Sequence, residues 1–199
     1  MRILSGIRPS GELHIGNYFG AIKPLTELQE KEECLFLIAD LQAITTPYSP
    51  KDFQAAVFST AVAYLAAGID PEKTIIFVQS HVKEHTELFW LLSTVCPVGD
   101  LNRMTQYKEK SRQFRNNVNA GLLNYPVLQA ADILLYKPDL IPVGKDQLQH
   151  LELTRTIARK FNQRFGKVFI EPKAQSPKTG AKIMSLQNPK KKMSKSEGH

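Results

Sequence analysis

The sequence predicts an α/β fold built on a doubly wound parallel sheet, and three observations predict it. Short apolar runs, Ile3-Leu4-Ser5-Gly6, Cys34–Ala39 and Thr74–Val78, are separated by longer segments of helical periodicity. The second and third runs are continuous rather than alternating, as in strands covered on both faces. The chain has 199 residues, 42% of them hydrophobic and 23% charged, enough to bury a real core.

Each element follows from local chemistry. Ile3–Gly6 reads as a strand that enters the turn Gly6-Ile7-Arg8-Pro9-Ser10-Gly11. A helix is expected from about Gly16, bent near Pro24 because proline lacks a backbone donor. Cys34–Ala39 reads as a buried strand ending at Asp40. Ser49, Pro50 and Asp52 open the next helix; Phe53, Val57, Ala61, Tyr64 and Leu65 form its apolar face, and Gly68 ends it. Thr74–Val78 is a second buried-type strand. Leu88, Trp90, Leu91 and Leu92 lie in a helix too apolar all round to be exposed. Tyr125–Tyr136 reads as helix, and Ile141-Pro142-Val143 as a short strand with Pro142 at an end or an unpaired edge. Gly144 opens the last long helix, with Leu148, Leu151, Ala158, Phe161 and Phe165 on one face. Beyond Gly166 the Lys, Pro, Gly and Ser content reads as loops. Ligands of such folds bind beyond the carboxyl ends of strands, which places Gly6–Ser10, Asp40, Gln79 and Val143–Gln147 around one crevice.

Composition excludes several classes. No apolar run approaches the ~20 residues of a membrane span, and the N-terminus lacks the apolar core of a signal peptide. Cys34 and Cys96 have no metal-ligand spacing and read as buried free thiols suited to a reducing cytoplasm. The net charge of +7 is uneven: residues 155–199 hold 12 Lys/Arg against 2 Asp/Glu, and the rest of the chain is slightly acidic. That end attracts anions, a nucleotide's phosphates or a nucleic-acid backbone.

Two motifs carry phosphate chemistry. His14-Ile15-Gly16-Asn17 follows a strand and a glycine-containing turn and opens a helix, where unpaired N–H groups favour an anion. Gly16 permits close approach of a ligand, and His14 and Asn17 add side-chain donors. Lys192-Met193-Ser194-Lys195-Ser196 places two ammonium groups three positions apart with hydroxyls beside them, which suits a polyphosphate.

Together these motifs resemble the paired signatures of class I aminoacyl-tRNA synthetases, usually written HIGH and KMSKS. Here the first ends in Asn and the second is complete. Further stretches agree: Ile38–Thr45, Arg103–Ser111, Ala130–Tyr136, Pro142-Val143-Gly144 and Asp146–Arg155. The resemblance spans essentially all 199 residues and favours the tryptophanyl branch over the tyrosyl one. It implies a Rossmann-like nucleotide-binding fold, with residues 1–199 forming a catalytic domain that ends just after the second signature. The helical anticodon-binding domain of the family is not among these residues.

The resemblance also implies roles. ATP would be held by Arg8, Ser10, His14, Gly16, Asn17, Gly144, Asp146 and Lys192–Ser196, with Lys110, Lys192 and Lys195 on the pyrophosphate and Mg²⁺ bridging its oxygens. Arg8, Tyr125, Gln129, Asp132, Ile141, Val143 and Gln147 would bind the amino acid. An indole N–H is a donor only and needs one buried acceptor, the role implied for Asp132. Tyr125 and Gln147 would face the substrate ammonium; Ile141 and Val143 would be walls. The implied partners are tryptophan, ATP and the cognate tRNA, in a homodimer, with no membrane or DNA partner; the apolar stretch Leu88–Val98 suits that contact and core burial equally well. Arg8, Gln129, Lys145 and Thr156 depart from residues usual in the family, namely Gln, Met, Glu and Asp. Gln129-Ala130-Ala131-Asp132 is also similar to the tyrosyl version of this helix, the alternative reading. A class I-like nucleotidyltransferase and a non-catalytic RNA-binding module using the basic end are more distant alternatives.

Overall fold

The computed structural model describes residues 1–9, 18 and 22–175. Ser10, His14, Gly16 and Asn17, and the segment Lys192–Ser196, lie outside the described residues.

Five parallel strands form one sheet. They are β1 (Arg2–Ile7), β2 (Glu33–Ile38), β3 (Thr74–Val78), β4 (Leu140–Pro142) and β5 (Lys173–Gln175), in the order β3-β2-β1-β4-β5. β1 runs beside β2 from Arg2↔Glu33 to Ile7↔Ile38, and β4 joins the other side of β1 at Ile3↔Leu140. The chain therefore winds outward from β1 to β3, returns to the centre, and winds outward again. The reversal lies between β1 and β4, the place beyond the carboxyl ends where sheets of this kind bind their ligands.

Eight described α-helices surround the sheet: α1 (Lys23–Leu28), α2 (Asp40–Ala43), α3 (Pro50–Ala66), α4 (Glu84–Ser93), α5 (Val98–Arg103), α6 (Thr105–Gln113), α7 (Ala120–Tyr136) and α8 (Leu148–Phe165). Strand side chains alternate between faces, so each continuous run feeds two cores. Ile3, Cys34, Phe36 and Ile38 pack with Leu25 of α1 and Tyr64 of α3. Leu4 and Leu35 pack on the opposite face with Ile133 of α7, Leu151 of α8, Ile141 and Val143. A third core lies between helices: Leu92, Leu101, Met104, Val127, Ala131, Leu134 and Ile157.

Several local expectations are corrected. β3 is an edge strand, not a buried one, and Ile75 is 57% exposed because nothing pairs beyond it among the described residues. In α4 only Leu92 is buried among the expected four; Trp90 is 69% and Leu91 53% exposed, since α7 covers one side of that helix. Leu65 points outward from α3, while Thr60 takes part of the buried face. The α8 face is rotated from the expected one: His150, Leu151, Thr154, Ile157 and Ala158 are buried, and Leu148 and Phe165 are exposed. Residues 173–175 form β5, which the polar composition concealed because backbone pairing with β4 stabilises it. Pro24 sits in the first turn of α1, a position proline tolerates, and most of the segment from Gly16 in which the longer helix was expected lies outside the described residues. Pro142 ends β4, as its lost donor requires.

Candidate functional site

α7 is the spine of the site. Asn119 caps it by accepting the Leu122 N–H at 2.9 Å, and Lys137 closes it in the left-handed conformation, φ 50°. Its buried surface includes Tyr125, Pro126, Ala130, Ala131, Asp132 and Ile133. Pro126 lies within the helix and removes one backbone donor immediately after Tyr125. Tyr125, Gln129, Asp132 and Tyr136 recur at spacings of four and three, so one stripe of α7 carries four polar groups toward the strand ends.

At one end of this stripe Asp132 is 2% exposed and holds three donors. Its Oδ1 accepts Gln79 Nε2 at 2.6 Å and His85 Nδ1 at 2.7 Å, and its Oδ2 accepts Gln42 Nε2. Gln79 is oriented by the Gln42 backbone N–H, which donates to its Oε1 at 3.3 Å. His85 Nε2 lies 2.9 Å from the Tyr136 hydroxyl. Burial pushes the Asp132 carboxyl above its ordinary value, and the bonds from His85, Gln79 and Gln42 oppose that rise. Ile141 and Val143 pack with Ile133, so apolar side chains flank the acid.

Cations gather at the other end. Lys110 Nζ lies 4.6 Å from the centre of the Tyr125 ring, and the Tyr125 hydroxyl is 2.8 Å from His150 Nε2. Burial, with help from the like charge of Arg8, lowers Lys110 to about 7. Burial also lowers His150 to about 4, with Lys110 and Arg8 adding to the effect and Asp146 opposing it. Burial holds the Arg8 guanidinium below its ordinary value and pushes the Tyr125 phenol up to about 12. His150 is therefore neutral near pH 7, and the zone is electropositive through Arg8 and Lys110. Such a zone favours a carboxylate or a phosphate.

Between the two ends, Gln129 Nε2 donates to Gln147 Oε1 at 3.3 Å, and Gln147 Nε2 donates to Asp146 Oδ2 at 3.4 Å. Gln106 Nε2 donates to the Asp146 backbone carbonyl at 3.3 Å. Gly144 lies close to Asp146: a Cβ on it would stand 2.7 Å from Asp146 Oδ1. The described part of the candidate set, Arg8, Lys110, Tyr125, Gln129, Asp132, Ile141, Val143, Gly144, Asp146 and Gln147, thus surrounds the β1/β4 crevice and the facing side of α7. Asp40, expected at the crevice, has a structural duty: its Oδ1 accepts the Leu41 and Ser80 N–H groups and ties the ends of β2 and β3 together. No group of three or more His, Cys, Asp or Glu able to hold a metal occurs among the described residues.

Sequence reasoning missed Gln42, His85, Tyr136, His150 and Gln106 as members of the site. Gln42, Gln106, Tyr136 and His150 lie inside stretches that carry the family resemblance, which was their available signal. His85 had none, because its partners are 47 and 51 residues away.

The model of the family described as tRNA synthetases class I (W and Y) matches residues 1–199. The chain belongs to this family. It is 53% identical over 197 residues to a tryptophan--tRNA ligase of Clostridium perfringens, covering 99% of this chain and 59% of that protein. It therefore spans about three-fifths of the length of the relatives it matches. Its fold superposes on tryptophanyl-tRNA synthetase from Campylobacter jejuni complexed with ADP and tryptophan, with a TM-score of 0.89 and 43% identity, over 99% of this chain and 61% of that one. The synthetase of Mycoplasma pneumoniae gives a TM-score of 0.91 at 42% identity, over 98% and 58% of the two chains. The α/β sheet of this chain is thus the Rossmann-like one of the class I fold.

Proposed function

We propose that the chain carries the amino-acid-activating site of a tryptophan--tRNA ligase. The observation that carries this reading is Asp132, a buried acceptor flanked by Ile133, Ile141 and Val143 on the same crevice as the Arg8–Lys110 cations. An indole needs an apolar enclosure with one acceptor, and an amino acid's carboxylate needs a cation. The identity to tryptophan--tRNA ligases supports the same substrate.

In the first half-reaction a carboxylate oxygen of tryptophan attacks the α-phosphorus of ATP. An acyl–phosphate bond forms, the bond to the bridging oxygen breaks, and pyrophosphate leaves with its electron pair. The nucleophile is already ionised, so no general base is needed, and the protein contributes position and charge stabilisation. Arg8 holds the carboxylate, Tyr125 and Gln147 the ammonium, and Gly144 and Asp146 the ribose. His14 and Asn17 hold the reacting phosphate, and Lys110, Lys192 and Lys195 the pyrophosphate, which arrives as the magnesium complex of ATP. In the second half-reaction a 3′-terminal hydroxyl of tRNA takes the aminoacyl group.

ATP–pyrophosphate exchange tests the reading: tryptophan should drive it, and exchange driven by tyrosine alone would overturn it in favour of the tyrosyl alternative. We further propose that Trp90, Leu91 and Val98, all exposed, form the contact of a homodimer. Sedimentation should give twice the chain mass, reduced to one chain mass by Trp90→Ala with Leu91→Ala. No described helix is long and apolar enough to cross a membrane. Cys34 and Cys96 are free thiols, which suits the cytoplasm we propose for the protein.

A further inference from the structure

The acid that would read the substrate ring is not a vacant acceptor. An ionised carboxylate offers about four acceptor positions. Among the described residues three are taken, two on Oδ1 by Gln79 and His85 and one on Oδ2 by Gln42. With respect to the described residues, one acceptor position remains, and it is on Oδ2. His85 is 0% exposed and is itself clamped: its ring lies tilted against Phe77 and Tyr136, at centroid distances of 6.1 and 5.5 Å, and its Nε2 meets the Tyr136 hydroxyl. Because the carboxylate is an acceptor, the pattern puts the imidazole proton on Nδ1, leaving Nε2 to accept from the neutral Tyr136 phenol.

We infer that His85, through Tyr136, is a positioning residue for amino-acid recognition: it saturates Oδ1 of Asp132 and leaves Oδ2 as the single bare acceptor for a ring N–H. This deepens the tryptophan reading and rests on it. Without the imidazole, Oδ1 would regain a free lone pair. The carboxyl would lose a donor that favours its ionised form, and it could present an O–H where an N–H must be accepted. The consequence falls on the N–H and not on ATP. A residue needed only for packing would weaken all amino-acid substrates alike.

The test is ATP–pyrophosphate exchange with tryptophan and with β-(3-benzothienyl)alanine, in which sulfur replaces the ring N–H at nearly the same shape. A hydrogen bond to a charged group corresponds to a preference for tryptophan on the order of 10- to 100-fold in kcat/KM for the unaltered chain. In His85→Leu the preference should fall to roughly threefold or less, with KM for ATP unchanged. In His85→Asn, whose amide can donate from the place of Nδ1, most of the preference should return. Tyr136→Phe removes only the far hydrogen bond and should lower the preference by a smaller factor, so the inference survives a leucine variant that does not fold. Equal losses for both substrates in the folded variants, leaving the ratio unmoved, would overturn it. Absence of tryptophan-driven exchange in the unaltered chain would instead remove the underlying reading.

Discussion

Lys110 makes the sharpest prediction about pH. Its ammonium group is half-buried against Tyr125 and shares the zone with Arg8, and these two facts bring it down to about 7. At that value roughly nine-tenths of the group is charged at pH 6 and about one-tenth at pH 8, close to a tenfold fall in the competent form. The sign follows from the chemistry: pyrophosphate is held by the ammonium and not by the free amine, so activity declines as pH rises through the folded value. The decline should appear in kcat/KM for ATP, which reports the free enzyme. It should be displaced upward in kcat at saturating ATP, because bound phosphates favour the charged form. The assay is tryptophan-dependent exchange from pH 6 to 9 for the unaltered chain and for Lys110→Arg, whose guanidinium stays charged throughout. Arg8→Gln removes a like charge and should move the limb to higher pH. A profile superimposable on that of Lys110→Arg would refute the reasoning. The same depressed value has a stability consequence: between about 7 and the ordinary lysine range the unfolded chain binds more protons. This group's contribution to stability therefore grows as pH rises through that window.

Other expectations concern single positions. A Cβ on Gly6 would lie 3.1 Å from both Cβ and the backbone oxygen of Leu37, so Gly6→Ala must force β1 from β2 and should cost about 1–3 kcal/mol in urea denaturation; an unmoved midpoint would contradict that packing. Gly144→Ala should displace the Asp146 carboxylate, raising KM for ATP while tryptophan KM stays put. If both constants moved together, the ribose role proposed for Asp146 would be wrong. Lys195→Ala should lower the exchange rate and leave tryptophan affinity largely intact, and an unchanged rate would exclude it from the pyrophosphate site.

Much of the architecture was legible because it is written in local chemistry. Cys34–Ala39 is apolar at every position, and the two cores that meet its strand from opposite faces are the reason. Ser49-Pro50 and Gly68 bracket α3 because one fits a helix start and the other a left-handed turn, φ 97°. Where local chemistry misled, a neighbour decided. Trp90 and Leu91 are as apolar as Leu92, but α4 meets α7 along one side only. β5 contains Lys, Ala and Gln, and becomes a strand because β4 offers it a ladder.

The sequence by itself determined the α/β class, the family, and a set of candidate residues of which Arg8, Lys110, Tyr125, Gln129, Asp132, Gly144, Asp146 and Gln147 now lie around one crevice. Those are properties of motifs and periodicity, which a chain carries whether or not it is folded. Only the tertiary structure decided the state of those groups. Arg8 and Lys110 compete for charge because burial brings them together across 102 positions of chain. Among the described residues Asp132 has three of its acceptor positions taken because Gln42, Gln79 and His85, from three separate segments, converge on it. Desolvation and hydrogen-bond saturation depend on what surrounds a side chain, and that is settled only when the chain closes on itself.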